Sequence, residues 1–237
     1  MTQLVFIHGP GAGGCADSYV NQLSHYPGSL APHLPGHLDG APCSNVERYT
    51  DWLRGWLHAQ GINRDLVLSG FTLGACIALQ YALDYPDEVK GLALMTIAMR
   101  PKRRQPQHLQ FRLDAAEDAE TYEKWLGMMD SVMHFIEPEL RASLLQRHRE
   151  VGPMAQYRDL VVIDRFDVRD RIHTLKSPLL LIQGVDDPLA TGDYEEEIHR
   201  AVPGSKLIKM TQAGHFPMVE KPAEVNAAID AFLAEIG

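Results

Sequence analysis

The sequence is poor in the features that mark secreted, membrane-spanning and nucleic-acid-binding proteins. Its 237 residues include three cysteines, Cys15, Cys43 and Cys76, and this odd number at scattered spacing fits neither a disulfide framework nor a zinc site. No apolar run approaches the roughly 20 residues that a transmembrane helix needs. Acidic residues outnumber basic ones, 31 against 22, so the charge favours neither nucleic acid nor an anionic membrane as a partner.

The beginning of the chain also lacks the marks of a targeting segment. The apolar residues 4–7 are too few for a signal peptide and have no basic leader before them. Together with the scattered cysteines, this predicts a cytoplasmic protein in a reducing compartment. The composition is otherwise that of a globular protein, 45% hydrophobic and 22% charged, and the length suits one core domain that carries an insertion.

Cofactor and metal motifs are missing as well. The segment HGPGAGG at residues 8–14 is a glycine-rich turn, but it has no G-x-x-x-x-G-K-[ST] pattern for phosphate, and Asp39 comes too late to close a dinucleotide fingerprint. His33 and His37 are four residues apart, yet the Leu-Pro-Gly between them excludes a helix face that could present a metal pair. We therefore predict loop histidines, no cofactor and no metal.

Short apolar segments alternate with helical segments over most of the chain. The apolar residues of the helices recur every three to four positions. The predicted strands are residues 4–7, a weak strand at 30–34, then 66–68, 91–97, 178–183 and 206–210. The predicted helices are residues 46–60, one from Leu73 to before Pro86, 194–202, and one from Pro222. This alternation predicts an α/β protein with a mostly parallel sheet and helices on both faces.

Residues 101–170 differ in character and are predicted to be a helical insertion into a core formed by residues 1–100 and 171–237. The predicted helices of the insertion are 114–136, 138–150 and 153–164. One interpretation is an extra helical layer packed on the sheet. The other is a cap or lid above the functional site.

On the lid interpretation, the aromatic and methionine side chains of the insertion shape an apolar pocket. The candidates for substrate contact are Trp125, Met129 and Met133. The basic run at residues 102–104 opens the insertion, and a solvated hinge is favoured there over an anion site.

The chain is organised around the sequence GFTLG at residues 70–74. It follows the apolar run Leu-Val-Leu and precedes an apolar helix, which is the strand–turn–helix layout of a nucleophile elbow. The glycines are needed because the middle residue takes a strained conformation with strand and helix crowded beside it. Here that middle residue is Thr72 instead of the usual serine.

Two further loops complete a possible constellation. GVDDP at residues 184–188 and AGHFP at residues 213–217 each follow a predicted strand. Because the carboxyl ends of parallel strands meet at one edge of a sheet, a hydroxyl, a carboxylate and an imidazole are expected together there. Any one of these loops alone is a weak signal, but the three in this order are a strong one.

At this point the chain resembles the α/β-hydrolase superfamily over nearly its whole length. The matching pieces are HGPGAGG, LPGH, GFTLG, GVDDP and AGHFP. The resemblance implies an eight-stranded sheet that here lacks its first two strands, because His8 comes so early, and a lid after the sixth family strand. By motif position it implies a triad of Thr72, Asp187 and His215, with Asp186 as the neighbouring candidate for the carboxylate.

The mechanism that follows is acyl transfer. His215 takes the proton of the Thr72 hydroxyl while Asp187 orients the imidazole. The oxyanion is expected to be held by the N–H of Leu73 and by an N–H from the early glycine loop. Phe71 and Phe216, which flank Thr72 and His215 in sequence, are expected to contact the substrate.

Two residues depart from the family pattern. Thr72 adds a methyl group at the reacting carbon, on a backbone that already stores strain. Pro10 stands where the oxyanion loop usually donates an N–H, and proline has none. Because loss of one such donor costs roughly 10²–10³ in rate, Gly11 is expected to substitute for it.

Two functions from different classes remain open. The first is a carboxylesterase or thioesterase acting on small to medium apolar acyl groups, with a lyase or carbon–carbon hydrolase as related chemistry on the same scaffold. The second is a ligand-binding or sensor protein that is impaired as an enzyme, which Thr72 and Pro10 both motivate. A purely structural role and Ser69 as the true nucleophile are further alternatives. The expected partner is a small ester-like molecule, and the protein is expected to be a monomer or a homodimer.

Overall fold

The computed structural model describes residues 2–11, 16–102, 104–133, 135–189 and 192–237. Within these residues, five parallel strands form one sheet in the order in which they occur along the chain. The strands are β1 (Gln3–Ile7), β2 (Leu66–Phe71), β3 (Val89–Met95), β4 (Leu179–Gly184) and β5 (Lys206–Met210). The first four strands are almost wholly buried, which is why they read as nearly continuous Val, Leu and Ile. The predicted parallel α/β sheet is confirmed.

The weak strand predicted at residues 30–34 does not form. Of these residues, Leu30 alone bridges to β1: its N–H donates to the Leu4 carbonyl (3.0 Å) and its carbonyl accepts from the Phe6 N–H (2.7 Å). Pro32 follows two residues later and has no N–H for a ladder. In the described part of the chain the sheet therefore has five strands, one fewer than the six that remain when the family's first two are removed.

Helices cover both faces of this sheet. They are α1 (Val20–His25), α2 (Val46–His58), α3 (Leu73–Asp84), α4 (Pro106–Glu117), α5 (Ala119–Ser131), α6 (Pro138–Val151), α7 (Pro153–Ile163), α8 (Tyr194–Ala201), α9 (Pro217–Glu220) and α10 (Pro222–Ile236). Alternate side chains of β1 show the two layers: Val5 and Ile7 pack in the cluster with α2, α3 and α8, and Leu4 and Phe6 pack in the cluster with α9 and α10.

Helices α4–α7 lie between β3 and β4, where the sequence predicts an insertion. The single helix predicted at residues 114–136 is instead two. Its first residues belong to α4, and α5 begins after Asp118, whose carboxylate caps it by accepting the Thr121 N–H at 2.7 Å. None of the helices in the described part of the chain is long and apolar enough to cross a membrane.

Candidate functional site

Thr72 lies in the turn between β2 and α3, as the GFTLG pattern predicts. Its backbone has φ 47° and ψ −104°, a left-handed φ that is costly for a β-branched residue. Glycine is required on both sides: a Cβ at Gly70 would lie 2.4 Å from the Gly74 carbonyl oxygen, and one at Gly74 would lie 2.0 Å from the Ile7 carbonyl oxygen. The turn presents Thr72 at the carboxyl edge of the sheet, and its buried Oγ1 has no hydrogen-bond partner among the described residues.

His215 and Asp187 meet at the same edge of the sheet. Asp187 follows β4 and His215 follows β5, and the His215 Nδ1 lies 2.8 Å from the Asp187 Oδ2. Because a carboxylate only accepts, Nδ1 carries the proton and Nε2 is left as an acceptor. Asp186 points elsewhere and accepts the Gln212 N–H at 2.8 Å. Of the two adjacent carboxylates, Asp187 is therefore the one that contacts the imidazole.

Thr72 and His215 both line one cavity of about 430 Å³, a volume within the range of small-molecule sites. Three of the predicted substrate-contacting side chains, Phe71, Met129 and Phe216, line the same cavity. No hydrogen bond joins the Thr72 hydroxyl to the His215 ring among the described residues. Such contacts are often loose until substrate is bound.

Two of the residues predicted to contact substrate do not border the cavity in the structure. Trp125 and Met133 are 0% and 1% exposed and do not line the cavity. The Trp125 indole donates to the Gln156 Oε1 at 2.8 Å, so it supports a lining residue from behind. The apolar pattern of α5 identified buried positions, but it could not tell which of them face a cavity.

The structure treats the predicted oxyanion donors differently: the N–H of Leu73 is not used by its helix, whereas the early glycine loop offers none at Pro10 or Gly11. Leu73 is the first residue of α3, and the helix itself makes no use of the N–H groups of its first turn. Pro10 lines the cavity but has no N–H. The Gly11 N–H donates to the Asp159 Oδ2 at 2.6 Å, so the expectation that Gly11 substitutes for Pro10 is wrong in this conformation. The rest of the glycine loop, residues 12–14, lies outside the described residues.

Asp159 belongs to a buried network that sequence reasoning missed. Its Oδ2 lies 2.8 Å from the His37 Nε2, and its Oδ1 accepts from the Tyr49 hydroxyl at 3.1 Å. The other His37 nitrogen, Nδ1, donates to the Leu34 carbonyl at 3.0 Å. Burial alone would lower the pKa of His37, but the hydrogen bond and charge of Asp159 outweigh it and raise that pKa above its ordinary value. His37 is a loop histidine, as predicted, but its partner is 122 residues away.

Basic side chains line the cavity, which contradicts the predicted solvated hinge at residues 102–104. Lys102, Arg104 and Arg112 are all lining residues, and Arg104 forms an ion pair with Asp164. Arg103 lies outside the described residues. A run of charges usually marks a solvated face, and the sequence holds no signal that this one turns inward. In the described ranges, no group of three or more His, Cys, Asp or Glu is placed to hold a metal ion.

Comparisons with known proteins agree with this architecture. The model of the alpha/beta hydrolase family matches residues 4–228. The putative carbamate hydrolase RutD of Klebsiella pneumoniae is 31% identical over 67% of this chain, which spans under two thirds (62%) of that relative. The pimeloyl-[acyl-carrier protein] methyl ester esterase of Neisseria meningitidis is 28% identical over 84% of this chain and 80% of its own length. A thermophilic esterase from Thermogutta terrifontis superposes with a TM-score of 0.83 at 22% identity, covering 100% of this chain and 90% of that one.

Proposed function

We propose that this protein, which belongs to the alpha/beta hydrolase family, hydrolyses carboxylic esters by acyl transfer through Thr72, His215 and Asp187. The observation that carries the proposal is the 2.8 Å contact between His215 and Asp187, made by an imidazole that lines the same cavity as the Thr72 hydroxyl. Histidine held by a carboxylate beside a hydroxyl is the arrangement that activates an oxygen nucleophile.

The chemistry follows from the hydrogen bonds. Asp187 accepts the Nδ1–H of His215, which leaves Nε2 as the acceptor for the Thr72 proton. The Thr72 oxygen then attacks the ester carbonyl, and His215 returns the proton to the departing alcohol. Water, activated by the same imidazole, releases the acid from Thr72. The buried Thr72 Oγ1 has no competing hydrogen bond among the described residues, so its hydroxyl is available to donate to the imidazole when substrate is bound.

The oxyanion is the weaker part of the site. The Leu73 N–H at the start of α3 is the donor best placed by sequence position. Pro10 offers none, and the Gly11 N–H is taken by Asp159. A site with one donor in place of two is expected to be slower by roughly 10²–10³.

The substrate class rests on the cavity walls and on the relatives. Phe71, Met129 and Phe216 provide apolar surface beside Thr72, which suits small to medium acyl groups. The methyl ester esterase among the relatives is consistent with an ester as the bond that is cleaved. Helices α4–α7 act as the cap of this cavity, since Met129, Val132 and Gln156 of the insertion line it, with residues 1–100 and 171–237 as the core.

A second candidate function is a ligand-binding protein with little turnover. Two observations favour it: Thr72 carries its extra methyl on a strained backbone (φ 47°), and neither Pro10 nor Gly11 offers a free N–H. Both weaken the same step of the reaction. The two functions predict different behaviour of an acyl adduct on Thr72.

Turnover of p-nitrophenyl acetate, butyrate and octanoate by the wild type, Thr72→Ala and Thr72→Ser distinguishes them, with intact-protein mass spectra recorded alongside. The hydrolase proposal predicts multiple turnover by the wild type and none by Thr72→Ala. An inert wild type with an active Thr72→Ser favours the binding function. Equal hydrolysis by the wild type and Thr72→Ala would contradict Thr72 as nucleophile.

A further inference from the structure

We infer that the cavity binds substrates that carry a second, non-reacting carboxylate, and that Lys102 and Arg112 hold this group. The inference rests on the proposed function only for the ester that is cleaved. The recognition of the carboxylate is a separate property of the cavity and can be measured without turnover.

The first argument is the charge of the lining. Three cationic side chains, Lys102, Arg104 and Arg112, line the cavity, and none of the described lining residues is an Asp or Glu. This contrasts with the whole chain, whose formal net charge is −9. A cavity lined by positive charge attracts anions even though the net charge of the protein is negative.

Lys102 lacks a close counter-charge. Its ammonium forms no ion pair within 4.0 Å among the described residues, and it lies over the Tyr194 ring, 4.8 Å from the ring centroid. The nearby carboxylates are engaged elsewhere: Glu195 accepts the Ile97 N–H at 3.0 Å, and Asp187 contacts His215. Burial is the main cause that lowers the pKa of Lys102. The charged form of a buried ammonium without an ion pair is stabilised when an anion binds beside it.

Arg112 is oriented but not neutralised. Its Nε donates to the Gln156 Oε1 at 2.9 Å, and its Nη1 donates to the His108 carbonyl. Both acceptors are uncharged, and Gln156 is itself fixed by the Trp125 indole. Burial lowers the pKa of Arg112 to about 10, so it keeps its charge at neutral pH. Arg104 differs, because Asp164 already pairs with it.

Neutral polar groups extend the site. His148 is 1% exposed and lines the cavity, and neither of its ring nitrogens has a partner among the described residues. Burial lowers the pKa of His148 to about 4, so the neutral ring offers one donor and one acceptor. Among the residues that the structure describes, the Gln156 amide nitrogen donates to the Met129 sulfur alone, at 3.3 Å, and this weak acceptor can be replaced by a substrate oxygen.

The occupant follows from these walls. Phe71, Met129, Val132 and Phe216 supply apolar surface next to the cations, which suits a short carbon chain ending in one carboxylate better than a densely charged polyanion. A planar carboxylate also matches the fork of a guanidinium. The substrate class is therefore a monoester of a dicarboxylic acid, or an ester of similar size with a free carboxylate.

Binding is tested first, by isothermal titration calorimetry with adipic acid monoamide and with the neutral adipamide. The wild type should bind the monoamide more tightly, and Lys102→Met and Arg112→Met should each weaken it by roughly 10- to 100-fold. Arg112→Lys, which keeps the charge, should lose less. Lys124→Met is the matched control, because Lys124 is exposed on α5 and pairs with Glu120. Equal binding of the two amides, or tighter binding of inorganic phosphate than of the monoamide, would overturn the inference.

Hydrolysis is tested second, with monomethyl adipate against methyl hexanoate in a pH-stat. The expected result is a higher kcat/KM for the anionic ester, with this preference lost in Lys102→Met through a raised KM for that ester. Lys124→Met, outside the cavity, should keep the preference. If neither ester is cleaved but the monoamide binds as described, the proposed function fails and this inference stands. If both esters are cleaved equally well, this inference fails and the proposed function stands.

Discussion

Two histidine–aspartate pairs with the same nitrogen–oxygen distance, 2.8 Å, differ in what the second ring nitrogen meets. In the pair of His215 with Asp187, the second nitrogen is left as an acceptor on a ring that lines the cavity. In the pair of His37 with Asp159, the second nitrogen donates to the Leu34 carbonyl. Both ring nitrogens of His37 therefore face acceptors, and neither is free to take a proton from a substrate or nucleophile.

A histidine–aspartate contact alone therefore does not make the histidine a general base, because its second ring nitrogen must also be free to accept a proton. The exposures agree: the His215 and Asp187 side chains are 13% and 5% exposed, against 1% and 2% for His37 and Asp159. The pair of His37 and Asp159, here called the closed pair, instead joins α7 of the insertion to the core. Asp159 also accepts from the Gly11 N–H and from the hydroxyl of Tyr49 in α2. We propose that the pair of His215 and Asp187 serves the chemistry, while the pair of His37 and Asp159 holds the insertion against the loop that carries Pro10.

The sharpest way to break this comparison is to remove each imidazole in turn. His215→Ala should lower kcat/KM on p-nitrophenyl butyrate by at least about 10³-fold, as loss of a catalytic base does. In His37→Leu, the kcat/KM of the folded protein should fall by less than about 10²-fold, which is the contribution that even a weak general base makes. The measurement is steady-state turnover, normalised to the folded fraction by circular dichroism. Comparable losses in both variants would show that the two pairs are not distinct in role.

Stability should show the opposite pattern. His37→Leu leaves Asp159 with a buried charge and, among the described residues, with the Gly11 and Tyr49 donors alone. We therefore expect a loss of about 3–5 kcal/mol in the free energy of unfolding. His215→Ala should cost less, because its partly exposed ring leaves Asp187 nearer to water. Urea denaturation measures both.

A double variant provides the control for this stability prediction. Combining His37→Leu with Asp159→Asn removes the stranded charge, so its cost should be smaller than the sum of the two single costs. Strict additivity would contradict an interacting buried pair.

Glu195 is a buried carboxylate whose hydrogen-bond donor is a backbone N–H and not an imidazole, so it extends the comparison of Asp187 and Asp159. Glu195 is 3% exposed and accepts the Ile97 N–H, and burial raises its pKa from 4.5 to about 7. The folded state then binds more protons than the unfolded state between these values, so stability falls as pH rises from about 4.5 through 7. Glu195→Gln should remove up to about 3 kcal/mol of this fall, measured as the free energy of unfolding at pH 5 and pH 8.

His37 adds a second contribution, because its pKa is raised above the ordinary value of 6.5 and stability therefore falls as pH rises through that raised pKa. His37→Leu should reduce the slope above pH 6.5, and this effect should add to that of Glu195→Gln. An unchanged slope in Glu195→Gln would show that Glu195 is already charged in the folded protein at pH 5.

The smallest expected effect concerns the loop that the closed pair fixes. Pro10→Ala restores an N–H beside the cavity while Asp159 still holds Gly11, so kcat on p-nitrophenyl acetate should rise by up to about 10²-fold. A parallel Pro188→Ala variant is the control. Pro188 also lines the cavity, but it follows Asp187 and does not belong to the glycine loop where the oxyanion donor is expected. A fall in kcat with Pro10→Ala would mean that the ring shapes the cavity more than its missing N–H limits it.

Much of the fold, and the pairing of His215 with Asp187, could be predicted because the sequence patterns that indicate them are local. GFTLG, GVDDP and AGHFP each couple a strand end to one polar side chain, and parallel strands bring those ends to a common edge. The closed pair and the cationic lining left no such signal. His37 and Asp159 are far apart in sequence, and the basic run at 102–104 looks the same whether it faces water or a cavity. Trp125 and Met133 lie behind the cavity wall, a distinction that the sequence does not carry, because helical periodicity reports burial but not which buried face borders an open space.

The most direct measurement of the central claim is peptide mapping of the acyl adduct after a rapid acid quench with p-nitrophenyl butyrate. The wild type and His37→Leu should both carry the butyryl group on the peptide that contains Thr72, and His215→Ala should carry none. An adduct on Ser69 or another residue, or one that forms equally in His215→Ala, would contradict the assignment of Thr72 as nucleophile and His215 as its base.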